Sequence, residues 1–339
     1  MTATAAIASA LSEALFDEAN ADPAALRQAA DDLARLHAAA PPASPAAFLH
    51  VLAGLAEHGS QQTELERQII HVKRRGQSGR IRTLLGEVPE DVLFDLTRLS
   101  TTLLERGRTA EASIVANRYF DVAPQGAAGW AILPLFLSLH AGAAGDLVLT
   151  ENLLRPAPAR LIVVGGLSGT GKSTLSQQLS TLTGRAPGAR VIRSDVFRKR
   201  LAGVRPETRL PPAHYTPRND RDTYEAMFES ADDHLACGSS VILDAVFMNR
   251  SEREVASALA AKARVPFIGI WLEAPERDRI ERVAARNYDA SDATAQVVRN
   301  QSRQSVGELS TWHRIRANRP LDLIVAAARG AIDRSATDA

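Results

Sequence analysis

Only one cysteine, Cys237, stands in the 339 residues. That excludes an intrachain disulfide and any zinc site built from several cysteines, and it fits a reducing cytoplasm. Aromatic residues make up only 5%. None interleave with the basic stretch Arg67 to Arg82, which holds Lys73, Arg74, Arg75 and Arg80. That stretch therefore reads as a solvated helix and not as a nucleic-acid track. No apolar run approaches the roughly 20 residues that span a bilayer, so no membrane insertion is expected. Residues 1–20 are low in complexity, and Met1–Ala10 lacks the positively charged start of a signal peptide. The chain also has no metal-protease motif, no G-x-S-x-G and no dinucleotide fingerprint, which removes three common chemistries.

Hydrophobic residues at 45% and charged residues at 23% are enough to build sizeable cores. The length suggests two domains. The net charge of +1 hides an asymmetry: residues 160–333 carry 26 Lys+Arg against 20 Asp+Glu, and residues 1–159 carry 13 against 18.

From about Pro23 to Gly145 the apolar residues recur at helical spacing, as in Leu26, Ala29, Ala30, Leu33, Leu36 and in Val92, Leu93, Leu96, Leu99, Leu103. Pro41, Pro42 and Pro45 separate the first helix from the next. This predicts a helical domain over 21–154. Residues 155–159, Arg-Pro-Ala-Pro-Ala, read as a stiff linker. Residues 160–333 alternate strand and helix, which predicts a three-layer α/β domain with a parallel sheet. Strands are expected at Leu161–Val164, Val191–Arg193, Val241–Leu243, Phe267–Leu272 and Leu321–Val325. Leu175, Leu179 and Leu182 mark a helix that Gly184 stops, and Pro275 suits the first turn of another.

Gly166-Leu167-Ser168-Gly169-Thr170-Gly171-Lys172-Ser173, followed by Thr174, fits G-x-x-x-x-G-K-[ST] completely, between an apolar strand and an amphipathic helix. Its glycines let backbone N–H groups turn toward phosphate oxygens, and the following helix adds its positive end. Lys172 supplies charge for the β- and γ-phosphates of ATP, and the Ser173 hydroxyl can ligate Mg²⁺. The competing reading is a glycine-rich turn without a ligand. In that context the phosphate loop is the stronger reading.

Ligands of open α/β sheets sit at the carboxyl ends of strands, where Asp195 and Asp244 fall. Asp244 could face Mg²⁺ or serve as a turn residue. Asp195 could cap a helix beginning at Val196, act as a base, or do both. Arg198 lies one helical turn on and could hold an anionic group of a second substrate; Arg198, Lys199 and Arg200 could equally form a solvated face. Arg282 and Arg286 share a helix face, which suits a clamp on a phosphoryl group. They could also pair with Glu281 or Asp278. The polar stretch Asn287–Thr294 suits a moving lid, with Arg299 a further candidate. His214 and Tyr215, in the Pro-rich loop Arg209 to Arg218, could cover an acceptor.

At these residues the sequence resembles the polynucleotide-kinase and zeta-toxin group of P-loop kinases. The resemblance rests on Gly166–Thr174, Arg193-Ser194-Asp195 with Arg198, the strand ending in Asp244, and Arg282-x-x-x-Arg286. It implies that Asp195 is the general base for an acceptor hydroxyl, that Arg282 and Arg286 contact ATP phosphates, and that Arg198 contacts acceptor phosphate. A closer similarity is to bacterial proteins that fuse an aminoglycoside-phosphotransferase-like domain to such a kinase domain, at Gly165–Thr174, Arg193–Arg200, Leu243–Phe247, Trp271–Pro275, Asp289–Thr294 and Trp312–Ile315. The first half resembles the partner domain only at Asp91–Asp121 and Leu133–His140, and it has no H-x-D-x-x-x-x-N loop, so it reads as a reduced remnant without catalysis. The expected activity is transfer of the ATP γ-phosphate to a hydroxyl, with a small-molecule acceptor favoured over a nucleic-acid 5′-hydroxyl. A nucleotide-dependent switch with slow hydrolysis is the alternative.

Overall fold

The computed structural model describes residues 22–84, 89–285 and 290–337. The reading of residues 1–20 as a leader lies outside these. The described residues fall into two compact units: one up to Ala157 together with Arg185–Pro187, the other Pro158–Gly184 together with Gly188 onward.

The first unit is helical, with helices at Pro23–Ala39, Pro45–Leu55, Gly59–Gln77, Val92–Glu105, Thr109–Val122, Gly126–Ala143 and Leu147–Leu154. Asp22 caps the first helix by accepting from the Ala24 N–H, and prolines occupy the first turns of the first two, where their missing N–H is harmless. Two three-residue strands, β1 (Ile81–Thr83) and β2 (Pro89–Asp91), pair antiparallel. They are too short for alternation to show in the sequence. Gly126–Ala143 corrects the expectation about apolar runs: it is long and apolar enough to cross a membrane. Residues 129–139 of it are buried, and Leu133, Leu135, Phe136 and Leu139 belong to the unit's hydrophobic core.

Buried charges in this unit are met by partners within it. Arg118 pairs with Asp31 at 2.6 Å and Arg75 with Asp91 at 2.6 Å. His37 joins Tyr119 at 2.7 Å and Asp95 at 3.0 Å. Arg75 thus corrects the reading of Arg67–Arg82 as a solvated face, because it is only 4% exposed. His140 is half-buried against Phe94, donates to the Phe94 carbonyl at 2.8 Å, and is pushed down to a pKa of about 4 by desolvation there.

The second unit is a five-stranded parallel sheet in the order β4-β5-β3-β6-β7, with β3 Leu161–Gly166, β4 Arg190–Arg193, β5 Val241–Asp244, β6 Phe267–Glu273 and β7 Trp312–Arg316. Every residue of β3 is buried. Leu161 and Val163 enter one core with Met227, Leu235 and Leu259, while Ile162 and Val164 enter the other with Leu175, Leu179 and Ile324. This period-two division makes the unit three-layered. Two expectations are corrected. The fifth strand is Trp312–Arg316, an edge strand whose buried Trp312 and Ile315 alternate imperfectly with charged residues. Leu321–Val325 instead opens the Leu321–Thr337 helix, where Ile324, Ala328, Ala331 and Ile332 recur at helical spacing and join the core under the sheet. The helix after the P-loop ends at Ser180, so Leu182 lies beyond it and is 41% exposed.

Candidate active site

The chain leaves β3 to reach β4 across β5, while β6 lies on the other side of β3, so the strand order reverses beside the carboxyl end of β3. Crevices at such points hold ligands. The loop Gly166–Gly171 occupies this one. Gly166 has φ 144° and Gly169 φ 86°. A Cβ on Gly166 would lie 2.7 Å from the Leu272 carbonyl oxygen, and one on Gly169 would lie 2.5 Å from that of Arg279. Only glycine fits either place. The Gly171 N-cap then opens the Lys172–Ser180 helix. Thr170 Oγ1 donates to the Leu167 carbonyl at 2.8 Å, and Lys172 Nζ donates to the same oxygen at 3.2 Å.

A cavity of about 640 Å³ opens over this loop. Ser168, Gly169, Lys172 and Ser173 form one wall, and Asp195, Arg198 and Asp244 line it as well. The two strand-end aspartates and the P-loop are therefore brought together. Thr170 is buried with its hydroxyl turned to Leu167, and Thr174 is exposed on the outside of its helix.

Asp195 is the second residue of the Ser194–Leu201 helix, not its cap; Arg193 holds the N-cap position. Asp244 ends β5 and is 4% exposed. Its Oδ2 is 3.4 Å from Arg193 Nε and has no hydrogen bond among the described residues. Arg198 does not stand as an open anion holder. Its Nη2 is 2.8 Å from Asp220 Oδ1, Nη1 donates to the His214 carbonyl at 3.4 Å, and its guanidinium lies over the Tyr215 ring at 5.1 Å. Asp220 and Tyr215 line the cavity too.

Arg282 sits at the flank of the P-loop. It donates to the Thr170 carbonyl at 3.3 Å and to the Ala317 carbonyl at 2.7 Å. Arg286 and residues 287–289 lie outside the described residues. Arg299 is exposed and does not line the cavity. The segment expected as a lid is anchored where it is described: Ala290 is buried, and the Asp292 carboxylate accepts from Lys199, from Tyr215 Oη and from the Leu210 N–H at 3.0 Å. Burial favours a raised pKa for Asp292, but these donors outweigh it and hold the carboxylate below its ordinary value. Burial first, and then Asp292, pushes the Tyr215 phenol above its own.

Several residues in the wall or just behind it carried no signal in the sequence. Lys199, read with the basic face, is 1% exposed and bound to an aspartate 93 positions away. Gln301 accepts the Ser168 N–H at 2.8 Å from 133 positions away. Glu252 caps its own helix by bonding to Asn249, and burial raises its pKa. Nearby Phe247 is fully buried with φ 51°; its N–H donates to Tyr224 Oη at 3.0 Å and its carbonyl accepts from Arg253 at 2.8 Å.

Residues 161–306 match a sequence family described as an AAA domain. An uncharacterized protein of Mycobacterium tuberculosis (strain ATCC 25618 / H37Rv) is 32% identical over 179 residues, which cover 52% of this chain and 35% of that protein. The match thus spans about a third of the length of that relative. Among solved structures, the chain is similar to a gluconokinase from Sinorhizobium meliloti 1021, at 22% identity and a TM-score of 0.39, covering 54% of this chain and 97% of that one. It is also similar to the Mycobacterium tuberculosis APS kinase CysC in complex with AMPPNP and APS, at 18% identity and a TM-score of 0.35, covering 52% and 98%. With its complete G-x-x-x-x-G-K-[ST] loop, the second unit is a P-loop nucleotide-binding unit of the kind shared by kinases and NTPases.

Proposed function

We propose that the P-loop unit transfers the γ-phosphoryl group of ATP to a hydroxyl of a small molecule. One observation carries this reading. Asp195 lines the same cavity as Lys172 and Ser173, so a group able to take a proton shares one open cavity with the phosphate loop. A volume of about 640 Å³ suits a nucleotide's phosphate end with a small acceptor beside it. That size also favours a small acceptor over a nucleic-acid 5′-end.

In this reading the backbone N–H groups of Gly169, Gly171 and Lys172 cradle the phosphates, and Lys172 exchanges the Leu167 carbonyl for a phosphate oxygen. The acceptor oxygen bonds to the γ-phosphorus as the bond to ADP breaks, and the acceptor's proton passes to Asp195. Arg282, beside Thr170 and Gly171, supplies positive charge at the flank of the loop. Arg286 would add to it by the same reasoning. Ser173 and Asp244 would hold Mg²⁺, which when bound neutralises charge on the β- and γ-phosphates. One hydroxyl and one buried carboxylate with an unbonded oxygen fit an ion that takes its remaining ligands from water and phosphate.

The test is Asp195→Asn. The amide keeps the size but cannot accept the proton, so transfer of labelled γ-phosphate should fall about 10²–10⁴-fold. Mg-ATP affinity by calorimetry should change little. Transfer at the wild-type rate would remove Asp195 as the base.

A further inference from the structure

The geometry points to an acceptor without an anionic group: an uncharged polyhydroxyl compound or its amino counterpart. This rests on the proposed kinase reading and adds the charge class of its second substrate. Away from the P-loop, the described cations lining the cavity are Arg198 and Arg209. Arg198 is the more sheltered of the two, with a side chain 12% exposed, and it is already paired. Its guanidinium is held by Asp220, the His214 carbonyl and the Tyr215 ring. A phosphate or carboxylate entering here would have to displace Asp220 and then remain beside it. Two like charges at that range repel strongly in a partly desolvated site.

Arg209 is exposed at the cavity's edge, where water and salt screen it. Lys199 neutralises Asp292 from outside the lining, so it adds no positive charge to the wall. What this side does offer is Asp195, Asp220, Glu252 and the Asn249 amide. Their oxygens accept hydrogen bonds from hydroxyl or ammonium groups and repel anions.

The inference is tested in two arms, so that it can fail separately from the kinase reading. First, the full chain is saturated with AMPPNP and Mg²⁺, which fills the P-loop, and is titrated with inorganic phosphate by calorimetry. The wild type should show no saturable binding. Asp220→Asn frees Arg198 and should bind phosphate at least roughly tenfold more tightly. Adding Arg198→Gln should abolish the gain. Asp220 is half exposed, so Asp220→Asn leaves packing intact, and circular dichroism checks that the added Arg198→Gln change, at a side chain only 12% exposed, keeps the fold. Saturable phosphate binding by the loaded wild type, lost in Arg198→Gln or Arg209→Gln, overturns the inference. So does an Asp220→Asn variant that gains nothing.

Second, labelled γ-phosphate is offered with matched sets of a neutral sugar, its amino sugar, its acid and its phosphate. Transfer to the neutral or amino members supports the inference, and preference for the acid or the phosphate overturns it. Transfer to none of them counts against the kinase reading, while the phosphate titration still decides the charge of the wall.

Discussion

In the helical unit, Arg118 closes on Asp31 and Arg75 on Asp91, each pair buried and held at 2.6 Å. In the P-loop unit, Arg282 rests on the carbonyls of Thr170 and Ala317. The difference has a physical meaning. A buried guanidinium cannot leave its carboxylate without stranding a charge in a low-dielectric interior. A cation on a neutral carbonyl can move to a phosphate and leave only a dipole behind. Arg118 and Arg75 are therefore placed to stay as they are, and Arg282 to exchange partners. Asp244, whose buried Oδ2 makes no hydrogen bond among the described residues, likewise has room for a new partner.

The comparison can be broken most forcefully at Arg118. Arg118→Met removes the guanidinium that meets the buried Asp31 carboxylate, which should destabilise the helical unit by about 3–5 kcal/mol. Denaturant unfolding followed by near-ultraviolet circular dichroism should report that loss, while ATP affinity stays at the wild-type value. A loss below about 1 kcal/mol would show that the pair is dispensable. Lys172→Ala is the counterpart. It should leave unfolding unchanged and weaken Mg-ATP binding by roughly ten- to a hundredfold, the worth of a charged hydrogen bond. Unchanged affinity in calorimetry would remove Lys172 from phosphate binding.

A smaller effect sharpens the comparison by showing what the units share. His140 in the helical unit, half-buried, and His234 in the P-loop unit, buried, are both lowered to a pKa of about 4 from 6.5. Above pH 6.5 neither state takes a proton, so these groups contribute nothing. Below it the unfolded chain binds protons that the folded chain refuses, so stability falls with pH. Each histidine should remove about 2 kcal/mol on going from pH 7 to pH 5. Stability measured across that range should slope less in His140→Gln than in the wild type. An equal slope would contradict the burial of this ring.

The sheet was legible in the sequence where strands are buried on both faces and read as apolar runs, as at Leu161–Val164, Val241–Leu243 and Phe267–Leu272. It was illegible at Trp312–Arg316, because an edge strand with one neighbour needs few apolar residues, and the more apolar Leu321–Val325 drew the assignment instead. The P-loop was legible because its chemistry demands adjacent residues at fixed spacing. The placement of Asp195 and Asp244 in its cavity followed from the strand-end rule. Lys199, Asp292, Gln301 and Glu252 could not be found that way. Their partners or their position in the wall come from long-range contacts, and the separations of 93 and 133 residues leave no local pattern. Arg198 was found as a residue of the site, but its ion pair with Asp220 was invisible, since both side chains look equally free in a linear sequence.

Phe247 bears on how this protein could acquire other acceptors. Its backbone lies in the left-handed region, which suits glycine, while its ring is packed among Tyr224, Phe228 and Trp312. Such a conformation costs a bulky residue on the order of 1–3 kcal/mol, repaid by the packing of the ring. Glycine would relax the backbone and leave a hole, and any other side chain would keep the strain with a poorer fit. The stretch that carries Val246, Met248 and Asn249 into the cavity wall is thus pinned by a position with almost no acceptable replacements. New specificities would arise more readily through another part of the wall, where Arg209 and Pro212 are exposed and tolerate exchange. The cavity has one side that drifts easily and one that does not, and diversification of this fold should be written on the former.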